Sequence, residues 1–353
     1  MVLDRYIGRN LFANCLMALF VLIAIFSFFA FVDQLGDTGV GDYGVYEAFK
    51  YVILTMPRLS IELLPIAAVI AGMATLGMLA NSSELAVMRT SGMSRLHLSW
   101  ALIKTGIIII ALGMLVSEFV APGSEKAAQE LRSVAKTSEI SMQTRHGLWS
   151  RDGNSFINIK TVLPDDRLKD ITVYEFDNNR ELRATIKAKQ ATYAGDRWIL
   201  SDIQKFDVST ARIEKSSFEK AEWNVLLNPE VIEQVTVRPQ HLSLYGLVNY
   251  MRYLRANSQS TALYEQAFWS KLISPFSILA MILLALTVVR SEGRSVSIGQ
   301  RVFFGALLGI LFHLLNQVTS HMGIVYGLNA LLSVSLPTIV VLAYVTFAIR
   351  NQP

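Results

Sequence analysis

From residue 302 to residue 349 the chain runs 48 residues without Asp, Glu, Lys or Arg. One α-helix of that length would be about 72 Å long, more than twice the roughly 30 Å hydrocarbon core of a bilayer. The stretch must therefore fold back on itself, and HMGIVYGLN, with Gly323 and Gly327, supplies the turn between spans near 302–320 and 329–349. Other apolar runs have membrane length too: 11–32, 63–83, 98–121 (with Lys104 and Glu118 near its ends) and 272–289, bounded by Lys271 and Arg290. Six spans are expected. The first exceeds the roughly 7–15 residues of a signal-peptide apolar region, and no small-residue cleavage site follows it, so it is expected to be retained. Composition agrees: 17% of residues are charged, where soluble domains carry roughly 25%.

Several function classes drop out. The net charge of +4 is too diffuse to indicate nucleic acid, and Cys15, the single cysteine, excludes a disulfide framework or a cysteine-rich metal site. No GxxxxGK[ST], HExxH or CxxC occurs, so no phosphate-cradling loop or such metal site is expected, and neither cofactor nor metal. His313 and His321, with Asn316 and Ser320 nearby, read as polar helix-packing or cavity residues, because no GxSxG-type nucleophile turn accompanies them. His97, His146 and His241 read as surface residues.

Lys and Arg in short loops set orientation. With the N-terminus cytoplasmic, that side collects Arg5, Arg9, Arg89, Arg95, Arg290, Arg294, Arg301 and Arg350, while the opposite loop 33–50 offers Lys50 against Asp33, Asp37, Asp42 and Glu47. Both termini then lie inside, and the insert 122–267 outside. That insert is charge-balanced, with 20 basic and 19 acidic residues. Its apolar runs alternate: Phe156, Ile157, Ile159 and Val162, then ITVYEF at 171–176, ATIKA at 184–188, RWIL at 197–200 and WNVLL at 223–227. Turn signals separate them at Asp152-Gly153-Asn154, Pro164-Asp165-Asp166, Asp177-Asn178-Asn179 and Gly195-Asp196. An antiparallel sandwich or jelly roll follows, with Phe156, Tyr174, Phe176, Trp198 and Trp223 expected inward and Trp198 and Trp223 filling a core. A polar helix over 123–137 leads in. Leu244, Leu247, Val248, Met251 and Leu254 repeat at helical spacing after it. The expected division is 1–121 (spans one to three, with a cytoplasmic loop 81–97), 122–267 (the β-domain with helical connectors) and 268–353 (spans four to six).

Two features invite function. The loop NSSELAVMRTSGMSRLHLSW is expected to form a short helix, capped by Ser82 or Ser83, carrying Glu84, Leu85, Met88 and Arg89, and stopped at Gly92; a plain interfacial connector would look similar. Arg58 and Glu62, four apart at the entrance of span two, are charges close to a membrane, or a local pair that shields both.

The segments LDRYIGRNL (3–11), SELAVMRTSGMS (83–94), GLWSRDGNSFINI (147–159) and FWSKLISPFSILAMILLAL (268–286) resemble the LptF/LptG permeases of the lipopolysaccharide export ABC transporter, the third segment more in its LptG form. The resemblance covers essentially the whole chain. It implies an inner-membrane bundle of six transmembrane α-helices with an inserted all-β periplasmic jelly-roll-like domain, extracting lipopolysaccharide toward the outer membrane. It also implies partners: a homologous LptF-like permease, a dimeric cytoplasmic ATPase that performs hydrolysis, and a periplasmic LptC/LptA-like bridge of jelly-roll fold. The loop then carries over as the coupling helix, with Glu84 the acidic contact to the ATPase, flanked by Leu85, Met88 and Arg89. The family's lysines at the outer end of span one are not matched, since Asp33 and Gln34 stand there. Gln34 with the cations Lys50, Arg58, Arg132 and Lys136 is the substitute set for the lipid head, and Phe26, Phe28, Phe29 and Phe31 crowd the outer half of span one for acyl chains. Gly305 and Gly309 offer a close helix contact. A lipid-modifying membrane enzyme, drawing on Lys104, Glu118, Arg58 or Glu62, and a passive scaffold for the β-domain are the alternatives.

Overall fold

The computed structural model describes residues 2–92, 94–137, 142–163, 167–177, 181–195, 197–208, 213–223, 239–257, 259–291 and 297–351. Pro164–Asp166, Asn178, Asn179, Asp196, Arg294 and positions 224–227 of the last apolar run lie outside them. Helices α1 (Val2–Leu35), α2 (Val45–Asn81), α3 (Glu84–Thr90) and α4 (Arg95–Leu115) come first. A π-helical turn, Val116–Val120, joins α4 to α5 (Ala121–Thr137). After six strands follow α6 (Leu244–Ala256), α7 (Ala262–Ser291), α8 (Ile298–Val325) and α9 (Ala330–Asn351). Among the described residues six helices are long and apolar enough to cross a membrane: α1, α2, the continuous α4–α5, α7, α8 and α9. The chain forms two compact units, one of Met1–Ala30, Thr55–Ser124 and Ala262–Pro353, the other of Phe31–Leu54 and Glu125–Thr261.

In the first unit α2 is the central helix. Its most apolar window is 78% buried, against 11% for α1 and 17% for α8. Helices in lipid gain little from excluding water between them, so close approach and interhelical hydrogen bonds hold them. At Gly72 the place a Cβ would take is already filled by the Ala285 Cβ of α7, 2.6 Å away. On another flank α8 lies along α2 through Gly305, against Ile70 and Met73, and Gly309, against Ile66. The GxxxG face thus packs within the chain. Arg301, one turn earlier on α8, is fully buried and donates from Nη1 to the Gly77 carbonyl at 3.1 Å; the positive-inside count had it as a loop cation. Asn14 of α1 donates to Thr75 Oγ1 of α2 at 2.8 Å, and Ser277 of α7 meets Thr338 of α9 at 2.7 Å. The turn between α8 and α9 falls at residues 326–329, where Gly327 takes φ +63°. Gly323 remains helical and makes room for Ser333.

In the second unit β1 (Met142–Asp152), β2 (Ser155–Leu163), β3 (Arg167–Phe176), β4 (Leu182–Tyr193), β5 (Trp198–Val208) and β6 (Ile213–Trp223) form one antiparallel sheet, each strand paired with the next. The inserted β-domain is therefore present, and its described strands run as a meander. Ile157, Ile159, Ile171, Val173, Ala188 and Ile203 fill its buried face. The alternation then slips: Leu168 and Ile171, Ala188 and Ala191, and Leu200 and Ile203 are all buried although three apart. Asp170 and Asp202 sit at the slip with φ of 55° and 54°, and Lys189 pairs with Asp202 at 3.4 Å. The strands keep their register across these positions, so the left-handed residues kink the strands without inserting a residue, and the buried side chains beyond the kink fall out of step.

Trp198 is buried as expected and Trp223 pairs beside it in register. Phe156, Tyr174 and Phe176 are not on the buried face. Phe156 pairs with Tyr174 next to the buried Ile157–Val173 pair, so pleating puts both on the opposite side. The rings satisfy one another there: Trp149 stacks on Tyr174 (5.9 Å, 15°) and Phe156 meets Phe176 edge-on (5.5 Å, 80°). Strand β6 gave no alternating signal because it alternates charge instead, with Glu214, Lys215, Glu219, Lys220 and Glu222, the composition that blunts a sheet edge.

Two outcomes are expected. Gly309→Ala presses a methyl to 2.8 Å from the β-branched Ile66 Cγ2 and 3.2 Å from its Cα, whereas at Gly305 the closest atoms are Met73 Cγ at 3.2 Å and Ile70 Cα at 3.3 Å. Gly309→Ala should cost about 1–3 kcal/mol and Gly305→Ala less, read as thermal aggregation midpoints in detergent. In the sheet, Asp202→Gly should be near neutral while Asp202→Val costs about 1–2 kcal/mol. The measurement is the temperature dependence of proteolysis within 142–223, and equal behaviour of the two variants would refute the left-handed kink at Asp202.

Candidate functional site

The loop after α2 builds a compact helical elbow. Ser82 does not cap α3: its hydroxyl donates back to the Met78 carbonyl at 3.0 Å, closing α2. Ser83 takes φ +62° and turns the chain, and its carbonyl accepts from Ala86 and Val87 to open α3. Gly92, at φ +87°, ends the helix as expected, and Ser94 caps α4 by accepting from the His97 N–H at 3.2 Å. Met88 is buried in the helical core and Leu85 packs against it, while Val87 is exposed and Glu84 half-buried. Leu85 and Met88 therefore anchor α3 to the bundle, and Glu84 and Val87 belong to the side they leave open. The Arg89 side chain lies outside those described.

A second cluster lies in the other unit, where the last turn of α1, the loop 36–44, the first turns of α2 and the last turns of α5 supply its groups. Arg132 of α5 donates from Nη2 to Asp37 Oδ2 at 2.6 Å and lies over the Tyr51 ring, 5.5 Å from its centre. The pair is about one-third exposed on each side. The loop is fastened to the same helix: Asp42 N–H donates to the Ala135 carbonyl at 2.7 Å, and Tyr43 is buried beside Ala135, Ala48, Leu131 and Phe31. Burial pushes the Tyr43 phenol up from its ordinary value, so it stays protonated and donates to Gln34 Oε1 at 3.0 Å. Gln34 is itself buried and thus serves as a loop support. Lys50 is exposed, 6.0 Å from the Tyr46 ring centre. Lys136 continues α5, its side chain outside those described.

The remaining candidates separate. In the first unit Arg58 and Glu62 form the local pair at 3.0 Å. Phe28 and Phe29 are 63% and 65% exposed and touch edge-on, and Phe26 is exposed too, so α1 presents an open apolar face. Lys104 pairs with Asp4 at 3.0 Å, and His97 joins from the other oxygen at 3.1 Å, tying α1 to α4. Lys271 donates to the Ser117 carbonyl at 3.4 Å, inside the π-turn that also carries Glu118. His313, Gln317 and His321 are exposed at helical spacing on α8. His241 was read as a surface residue and is not one. It is buried against the Glu125 carboxylate at 3.2 Å, and Gln129 donates to the same oxygen at 3.0 Å. The lone-residue reading failed because Glu125 lies 116 positions away. Among the described residues no group of His, Cys, Asp and Glu could hold a metal ion.

The whole arrangement has relatives. The family model for the lipopolysaccharide export system permease LptF/LptG matches residues 5–351. The LptG permease protein of Escherichia coli (strain K12) is 35% identical over 340 residues, covering 96% of this chain and 94% of that one. The LptG protein of Haemophilus influenzae is 30% identical over 352 residues, covering 99% and 98%. The LptF protein of Escherichia coli (strain K12) aligns over 177 residues, 48% of this chain, at 26% identity. Six membrane helices, an inserted β-domain and a match from end to end agree: the chain belongs to the LptF/LptG family of lipopolysaccharide export permeases.

Proposed function

We propose that this chain is a permease subunit that draws lipopolysaccharide out of the inner membrane and hands it to a periplasmic bridge. The observation that carries this is the match to LptG permeases along nearly the full length of both chains. A homologous LptF-like chain completes the membrane unit. A separate dimeric ATPase supplies the energy, docking where α3 closes the cytoplasmic end of α2. Glu84 provides the charge-assisted contact, with Leu85 and Met88 holding the helix in place and Arg89 flanking it. The arginine bias of the short loops sets both termini inside and residues 122–267 outside.

In this reading the exposed phenylalanines of α1 meet acyl chains, and Lys50, Arg58, Arg132 and Lys136 meet the anionic head. Guanidinium suits that task, since its fork can bind phosphate through two hydrogen bonds. Gln34 acts at one remove, through Tyr43 and the loop.

Glu84→Ala should leave the chain folded but weaken ATPase docking by about 1.5–3 kcal/mol. Copurification of the ATPase with the tagged permease pair and export in proteoliposomes read this out; full docking with full export would refute the role. A cysteine at position 92 should react only with reagent supplied from the cytoplasm. Reaction from the opposite side would invert the topology.

A further inference from the structure

Arg132 is not waiting open. Its guanidinium is held by a carboxylate of the same unit at 2.6 Å, and that carboxylate cannot drift far. Asp37 opens a glycine-containing loop whose far end is bound to α5, the helix that carries Arg132. Asp42 reaches the Ala135 carbonyl, Gly39 N–H donates to Tyr43 O at 3.0 Å, and the Tyr43 ring is buried beside Ala135 and Leu131. At its near end, the Asp37 N–H donates to the Gln34 carbonyl at 3.1 Å, and Gln34 accepts from Tyr43. The loop is thus fastened on both sides of the ion pair. Yet the pair is one-third exposed, so an anion arriving from solvent or lipid can reach it.

We propose that Asp37 is a specificity residue, a resident carboxylate that keeps Arg132 closed to head groups of single charge and yields to head groups carrying several phosphate charges. This rests on the reading of Arg132 as a head-group contact. The reasoning is one of exchange. A phospholipid with one phosphodiester brings a charge equal to that of the carboxylate it must displace. The tethered carboxylate has the advantage of high effective concentration, so such an exchange is unfavourable. A lipid with several phosphate groups brings more charge and can engage both edges of the fork, and it can spread over neighbouring cations such as Lys50. Discrimination then arises from a repulsive element built against the abundant competitor. The aromatic face of Tyr51 beneath the guanidinium favours the cation and leaves its donors in plane.

The test uses the complete complex of the permease pair and ATPase in nanodiscs of phosphatidylethanolamine with graded phosphatidylglycerol. Binding of a bisphosphorylated lipid A is measured in competition. The wild-type chain should resist phosphatidylglycerol. Asp37→Asn, close in shape and without charge, should let phosphatidylglycerol compete at about tenfold lower content, while lipid A binding tightens only about two- to threefold. Asp37→Glu should behave as wild type, which separates charge from loop structure. Unchanged competition in Asp37→Asn, or weaker binding of both lipids, would overturn the proposal and make Asp37 a mere support for Arg132. Arg132→Gln is the separate arm. Wild-type lipid A binding by that variant would remove Arg132 from the head-group site, whatever Asp37→Asn does, and a loss there with no selectivity change in Asp37→Asn would sink only the specificity role.

Discussion

Apolar helices immersed in hydrocarbon are not pushed together by water, so this bundle depends on how nearly two backbones can approach. That closeness is concentrated on α2. Gly72 admits α7, and Gly305 and Gly309 lay α8 along another flank of the same stretch. The polar ties Asn14–Thr75 and Arg301–Gly77 also end on it. What remains loosely covered, α1 and most of α8, is what the rest of an assembly can use. A central helix that leads within three residues into α3 places that elbow on the most constrained element of the unit.

The span count was legible because uncharged length is a one-dimensional property that lipid enforces. The short α3 and its stop at Gly92 were legible for a similar reason, since capping and positive φ are local. Where two distant residues had to meet, single positions misled. Lys104 looked like a lone charge near the end of a span until Asp4 stood opposite, and His241 looked exposed until Glu125 did. The β-domain shows the same limit in another form. Strands β2 to β5 announce themselves, but period two fails at Asp170 and Asp202, and a reader who continues it across the kink assigns faces wrongly. Aromatic size misled further at Phe156, Tyr174 and Phe176, whose rings pack on the second face, while branched residues with Trp198 are the buried ones.

The candidate lipid site was half legible. Residue type suggested cations, and the sequence offered Arg132 among them. It did not reveal that Asp37 holds Arg132, nor that Gln34 is spent on Tyr43 inside the loop. Both facts come from nine residues of loop folding back onto a helix about 95 positions later, a contact no spacing rule encodes. With Gln34 buried and spent on Tyr43, α1 ends in a scaffold for the loop.

The bond from Arg301 to Gly77 has a bearing on how the chain is made. It joins residues 224 positions apart, and a fully buried guanidinium entering lipid without an acceptor is costly. The acceptor is synthesised long beforehand, together with the glycine gap that receives the side chain. Insertion of α8 therefore needs one flank of α2 still uncovered when the arginine emerges, with α7 settled on the other. Biogenesis of this permease has a required order, written into which side of one helix is left bare.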